Sequence, residues 1–234
     1  MVGVEFDTRT GSCEGVSFAE KMKGGCSLAS RERADFRENL RRRALFLRSM
    51  VINPRKVGAV WPTSRWAVRD LLNMGDLPRA RTVVEFGVGT GVYTEEVLKR
   101  LPPDGIFLAF EIDPDLASAV AARLKDPRLR VINDSAENVE AYLEGAKADI
   151  IVSSLPFTTL PTDMRQNIFD AAHRALAPDG QMLVLQYSNT VLPDLKRFFS
   201  PIRRRFSPLN LPPAFLFACS VSDAPAETIG EGTP

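Results

Sequence analysis

Three acids and three glycines recur at matching places along this 234-residue chain. Glu85 lies in "VVEFGVGTG" (83–91) beside Gly87, Gly89 and Gly91; Glu111 ends an apolar run in "AFEIDPD"; Asp134 follows another in "VINDSAENV". Glycines between a strand pattern and a helical one permit a tight turn and let a ligand lie against bare backbone. The spacing is not that of a dinucleotide site, because the third glycine comes one residue early and Val92 fills its place. Nor is it a P-loop, which needs G-K-[ST]. A carboxylate at Glu85 would repel a phosphate at such a turn and suits a ligand carrying positive charge.

S-adenosylmethionine (SAM) has an ammonium, a sulfonium and no phosphate. Glu111 stands where an acid usually takes the two ribose hydroxyls, and Asp134 where one can accept from an adenine amino group. The expected cofactor set is Glu85, Gly87, Gly89, Gly91, Glu111, Ile112, Asp134, Ser135 and Ser153. Plainer readings stand beside it. Glu111 can be a solvated strand end, and Asp134 or Ser135 a helix N-cap.

"IVSSLPF" (151–157) resembles the stretch in which many base-modifying enzymes carry Asn or Asp where this chain has Ser154. In those enzymes the side chain accepts from an exocyclic amine, and the aromatic after Pro stacks on the flipped base. A serine hydroxyl weakens that acceptor, and Phe157 keeps only a ring. Backbone carbonyls before Pro156 remain to hold an amine of no planar geometry. The substitution argues against a base; "SSLP" can equally be a strand end that Pro156 terminates. Tyr187, closing "LVLQY", is the first candidate to contact a substrate amine, and Tyr93, just after the glycines, the second. Ordinary packing is the alternative for each, and the lone His173 reads as structural.

The elements that must position these residues alternate. Strand patterns fall at 82–86, 106–111, 129–132, 149–153 and 181–187, with helical patterns between them. That rhythm predicts a parallel sheet covered on both faces. After a helix near 192–199, "RRRFSPL" and "PAFLFACSV" (213–221) suggest a closing antiparallel pair and seven strands in all. Residues 1–30 and 223–234 read as disordered tails, 31–77 as an amphipathic helix with a cofactor-covering loop and helix, and 78–222 as the core. "VGAVWPTSRW" (57–66) is the covering loop, leading to a helix capped by Thr63 or Ser64, with Trp61 over the pocket or anchoring the preceding helix. Hydrophobic residues make up 44% and charged residues 25%, which is ordinary for a globular protein, and the net charge of +1 excludes a polycation. Three scattered cysteines show no metal spacing, so no zinc site is expected. No apolar run is long enough to span a membrane and the N-terminus lacks a signal-peptide layout, which points to a cytoplasmic protein.

Residues 50–221 resemble the class I SAM-dependent methyltransferases, whose Rossmann-like fold is a seven-stranded, mostly parallel sheet with helices on both faces. Within them "FLRSMVINPRKVGAVWPTSR" (46–65), "VSSLPF" (152–157) and "NLPPAFLF" (210–217) resemble the bacterial phospholipid N-methyltransferases and, more distantly, the rRNA adenine dimethylases. The resemblance implies methylation of phosphatidylethanolamine towards phosphatidylcholine, with S-adenosylhomocysteine (SAH) as the other product. It also implies reversible binding to anionic membrane at the inner face.

Two segments carry the composition of a docking surface. Over 31–51, Arg33, Arg37, Arg41 and Arg48 form a stripe beside an apolar helical face. In "LKRFFSPIRRRF" (195–206), Arg203, Arg204 and Arg205 lie among Phe198, Phe199 and Phe206, as in interfacial anchors. RNA binding and a plain solvated face are the alternatives. The near-neutral charge and Ser154 weigh against RNA, as does an ending too short for the helical C-terminal domain of the rRNA dimethylases. A small-molecule methyltransferase and a SAM-binding module without turnover remain as further readings.

Overall fold

All five residues of β1 (Thr82–Phe86) are buried, because the strand lies at the middle of a sheet with helices on both sides. The computed structural model describes residues 63–208, 210 and 212–221. Within them the sheet runs β3-β2-β1-β4-β5-β7-β6. β2 (Ile106–Phe110), β3 (Leu129–Ile132), β4 (Ala148–Ser153) and β5 (Leu176–Gln186) join β1 in parallel. β7 (Ala214–Ser220) pairs antiparallel with β5 and with the edge strand β6 (Ile202–Ser207). The expected class I architecture is therefore present. Chain order reverses between β1 and β4, which opens a crevice at the carboxyl ends of those strands.

Strand alternation sends neighbouring side chains to opposite cores. Val83, Phe107, Ile150 and Leu183 pack under α1 (Arg65–Leu72), α2 (Val92–Leu98) and α3 (Pro114–Arg123). Val84, Leu108, Ile151 and Met182 pack under α4 (Val139–Leu143), α5 (Thr162–Ala175) and α6 (Leu192–Phe198). The helical pattern between β3 and β4 is divided: a 3-10 turn at Ala136–Asn138 precedes a short α4. Of the two candidate caps for α1, Ser64 is the one used, its hydroxyl accepting from the Ala67 amide at 3.2 Å. Asp113 caps α3 in the same way, with Pro114 in the first turn. Among the described residues no helix is long and apolar enough to cross a membrane.

The basic helix read over 31–51, with Arg37, Arg41 and Arg48, lies outside the described residues, as do Trp61 and both tails.

Candidate functional site

The glycine turn leaves β1 through three left-handed residues, Gly87, Gly89 and Gly91, with φ of 83°, 53° and 81°. Two of these glycines are enclosed. A Cβ on Gly87 would stand 2.8 Å from Leu155, and one on Gly91 2.6 Å from the Arg123 guanidinium. A Cβ on Gly89 would meet nothing within 4 Å, so the turn is open there. Arg123, from α3, closes over the turn by donating to the Thr90 carbonyl at 2.6 Å and pairing with Glu95, which Arg65 also approaches at 3.7 Å.

Glu85 is almost wholly buried beneath this turn. Its Oε2 accepts from the Thr94 hydroxyl at 2.8 Å, while its Oε1 is buried without a partner among the described residues. Burial pushes the carboxyl up to about 8; the Thr94 bond opposes this and the nearby Glu111 charge adds to it. A buried carboxylate oxygen with no donor is costly, and a cationic ligand would supply what is missing.

Glu111 is also buried, and burial raises its pKa against the two amides that bond it. Its Oε2 accepts from the Gly89 amide at 2.8 Å and its Oε1 from the Asp113 amide at 3.0 Å. An ionised carboxylate offers about four lone-pair sites, so capacity for two hydroxyls remains. Asn133 fixes the following backbone by donating to the carbonyls of Glu111 and Ile112.

Asp134 is more heavily engaged than an open adenine acceptor would be. Its Oδ1 accepts from the Ser135 amide and from Asn138, and its Oδ2 from the Tyr142 hydroxyl at 2.8 Å. Ser135 is the residue that caps the following turn, accepting from the Glu137 amide.

At "SSLPF" Ser153 is buried, and the Ser154 hydroxyl donates to the Gly87 carbonyl at 3.1 Å, tying this loop to the glycine turn. The Leu155 carbonyl, one of those left for an amine, accepts instead from Gln186 at 2.7 Å. Phe157 has no exposed surface and packs on Phe169, with ring centroids 4.4 Å apart. It lies in the core, where no flipped base can stack on it.

Tyr187 meets the Thr63 hydroxyl at 3.3 Å. The segment before α1 is held over this edge by Asn210, whose Oδ1 accepts from the Ser64 amide at 2.8 Å while its Nδ2 donates to the Pro212 carbonyl. Sequence reasoning missed Thr63's contact, Thr94, Arg123, Asn133, Gln186 and Asn210. A hydroxyl two residues into the helix after an acid-glycine turn was the one available signal; the other contacts cross between distant segments.

The basic segment at 195–206 is not one anchor. Phe199 is buried and Phe198 half-buried, both against Phe169, and His173 stacks near Phe199. Arg203 is exposed but also donates to the Met74 carbonyl at 2.6 Å, fastening β6 to the chain just after α1. Arg204 and Arg205 are exposed, and Phe206 is 56% exposed beside Phe215.

A family model described as a methyltransferase domain matches residues 83–180, from β1 to the start of β5. The chain is 29% identical to an ornithine lipid N-methyltransferase of Singulisphaera acidiphila over 180 residues, which cover 75% of this chain and 94% of that protein. It is 32% identical to a ribosomal RNA small subunit methyltransferase A of Dehalococcoides mccartyi over 95 residues, covering 40% of this chain and 30% of that one. Among solved structures, the N-methyltransferase NodS of Bradyrhizobium japonicum in complex with SAH superposes with a TM-score of 0.59 at 14% identity, covering 77% of this chain and 98% of that one.

Proposed function

We propose that this chain, a SAM-dependent methyltransferase of the class I fold, transfers methyl groups to the amine of a membrane lipid, phosphatidylethanolamine being the expected acceptor. The observation that carries the choice of acceptor is the "SSLPF" turn. Its serine proton is committed to Gly87 and its aromatic ring is buried on Phe169, so the two features that hold a planar base are absent from this loop. The match along nearly the whole of a lipid N-methyltransferase supports the same reading.

In this reading Glu85 receives the ammonium of SAM, the open face at Gly89 its backbone-facing side, and Glu111 its ribose hydroxyls. Ile112, Asp134, Ser135 and Ser153 line the rest. When bound, SAM supplies an electrophilic methyl whose bond to sulfur breaks, the pair staying on sulfur, as the amine nitrogen forms the new C–N bond. Ser154 and Tyr187 face the acceptor and align it, which is where the rate advantage of a fixed geometry arises. A lipid amine has a pKa of about 10, so it must give a proton to solvent before attack, and hydroxyls that accept from its remaining N–H groups favour the reactive orientation.

Docking to anionic membrane belongs to the same proposal. Arg204, Arg205 and Phe206 on the edge strand, and Trp66, 63% exposed on α1, combine cations with exposed aromatics. The basic stripe of Arg37, Arg41 and Arg48 would add to them.

The test is methyl-labelled SAM offered with three acceptors in parallel: phosphatidylethanolamine in anionic liposomes, ornithine lipid in the same liposomes, and total rRNA. Label in a lipid fraction that vanishes in Glu111→Ala is the expected result. Label in RNA alone would overturn the lipid reading.

A further inference from the structure

A second set of polar groups gathers near Glu85, and the glycine signature does not account for it. Tyr93, in the first turn of α2, is 4% exposed, and among the described residues its hydroxyl has no hydrogen-bond partner within bonding geometry. The Thr63 hydroxyl, already paired with Tyr187, approaches Tyr93 without closing a bond to it. Tyr187 and Glu85 are both near enough to act on the Tyr93 phenol electrostatically. Burial, with these neighbours, holds that phenol above its ordinary pKa, so it stays a neutral dipole and is no base.

With Glu85 given to the cofactor's ammonium, Tyr93 Oη stays as a buried polar atom beside the Thr63–Tyr187 pair that no described residue bonds. Such atoms are rare in folded proteins and call for a ligand that completes them. A group rich in N–H donors and carrying positive charge satisfies the phenol and the neighbouring hydroxyl lone pairs together.

We propose that Tyr93, Thr63 and Tyr187 form the amine-receiving wall of the site, presenting two aromatic rings and their hydroxyl lone pairs to an alkylammonium group. The proposal rests on the N-methyltransfer reading above and assigns the residues that recognise the acceptor. Its chemistry depends on how many methyls the nitrogen carries. A primary ammonium has three N–H donors and engages the hydroxyls. Each methyl removes one donor, and a fully methylated nitrogen is held by ring faces alone. Removing the Tyr93 hydroxyl while keeping its ring therefore penalises the first transfer more than the last.

Tyr93, Tyr142 and Tyr187 are the three tyrosines of the chain, so 3-fluorotyrosine labelling gives three fluorine resonances, assignable by Tyr→Phe substitution. SAH-loaded protein is titrated with methylammonium and with tetramethylammonium, against sodium chloride at equal ionic strength. The expected result is that both cations shift Tyr93 and Tyr187 and leave Tyr142, bonded to Asp134, in place. An unmoved Tyr93, or three resonances moving together, overturns the proposal. In a second arm, Tyr93→Phe acts on aminolipid vesicles with labelled SAM. Loss of the first transfer by about tenfold, the scale of one lost hydrogen bond to a charged group, with a smaller loss in the last, is expected; equal losses or none overturn it. Wild-type protein that labels no aminolipid while ammonium still shifts the two tyrosines refutes the lipid acceptor and leaves the amine wall standing.

Discussion

Acidification should weaken SAM binding through one carboxyl group. In the ligand-free protein burial raises Glu85 to about 8, so below that pH its carboxyl carries a proton. An ammonium placed against Oε1 restores the charged form, and binding then expels that proton. Affinity consequently falls towards tenfold per pH unit well below 8, which amounts to about twenty-fold between pH 8 and pH 6, since about half of the SAM amine is already deprotonated at pH 8. Above pH 8 the α-amino group of SAM itself deprotonates, at about 7.7–8.0 in free form, and the profile turns over. Glu111, the other titrating acid of the site, is bonded to the Gly89 and Asp113 amides and contributes to Glu85's shift through its charge. Glu85→Gln keeps an acceptor for Thr94 and removes the titration, so the difference between wild type and variant isolates Glu85. The assay is calorimetry at several pH values in buffers of different ionisation enthalpy. Close to one proton should leave per SAM bound at pH 6.5 in wild type, and none from this site in Glu85→Gln. Proton release that is absent in wild type, or unchanged in the variant, would refute the reasoning.

The same carboxyl governs the stability of the empty protein. Its folded pKa lies above the ordinary 4.5, so the contribution is full below 4.5 and is lost as pH rises to about 8; Glu85→Gln should stabilise the ligand-free protein by about 3 kcal/mol more at pH 9 than at pH 6, read by denaturant titration. Gly89→Ala and Gly91→Ala should separate binding from folding. Both require a left-handed Cβ residue, costing about 1–2 kcal/mol, but the Gly91 methyl also displaces Arg123 from Thr90 and lowers Tm further, whereas Gly89→Ala loses SAM affinity with the milder loss of Tm. Arg204→Glu with Phe206→Ala should reduce co-sedimentation with anionic liposomes, the charge reversal alone by about 2 kcal/mol, and leave SAH affinity unchanged.

Strand cores were legible because parallel strands covered on both faces must be apolar at nearly every position, as in "TVVEF" and "QMLVLQ". The glycine turn was legible because its conformation excludes most other residues. What escaped are properties of pairs far apart in sequence. Nothing in "PAFLF" or "SSLPF" reveals that Gln186 takes the Leu155 carbonyl, or that Asn210 holds the amide of Ser64. The aromatics of 195–206 misled for a related reason. A run of Phe and Arg has the composition of an interfacial helix, but the chain turns at Ser200 and Pro201, which sends Phe199 into the core and leaves Phe206 on an edge strand.

The three acids that looked alike in the sequence end in three different states, and the difference decides what each can contribute. Asp134 already receives three donors, so it mainly shapes its own loop. Glu111 receives two amides, including that of Gly89, and in the proposed reading it couples the ribose position to the conformation of the glycine turn. Glu85 receives one hydroxyl and is buried with its other oxygen bare. A carboxylate in that state destabilises the empty fold, and the deficit is removed either by a proton, as below about pH 8, or by a cation from outside. In the proposed reading, binding strength and charge selectivity therefore concentrate at Glu85, while Glu111 and Asp134 set position. A neutral or anionic analogue of SAM's amino-acid end should be rejected there even when its adenosine fits.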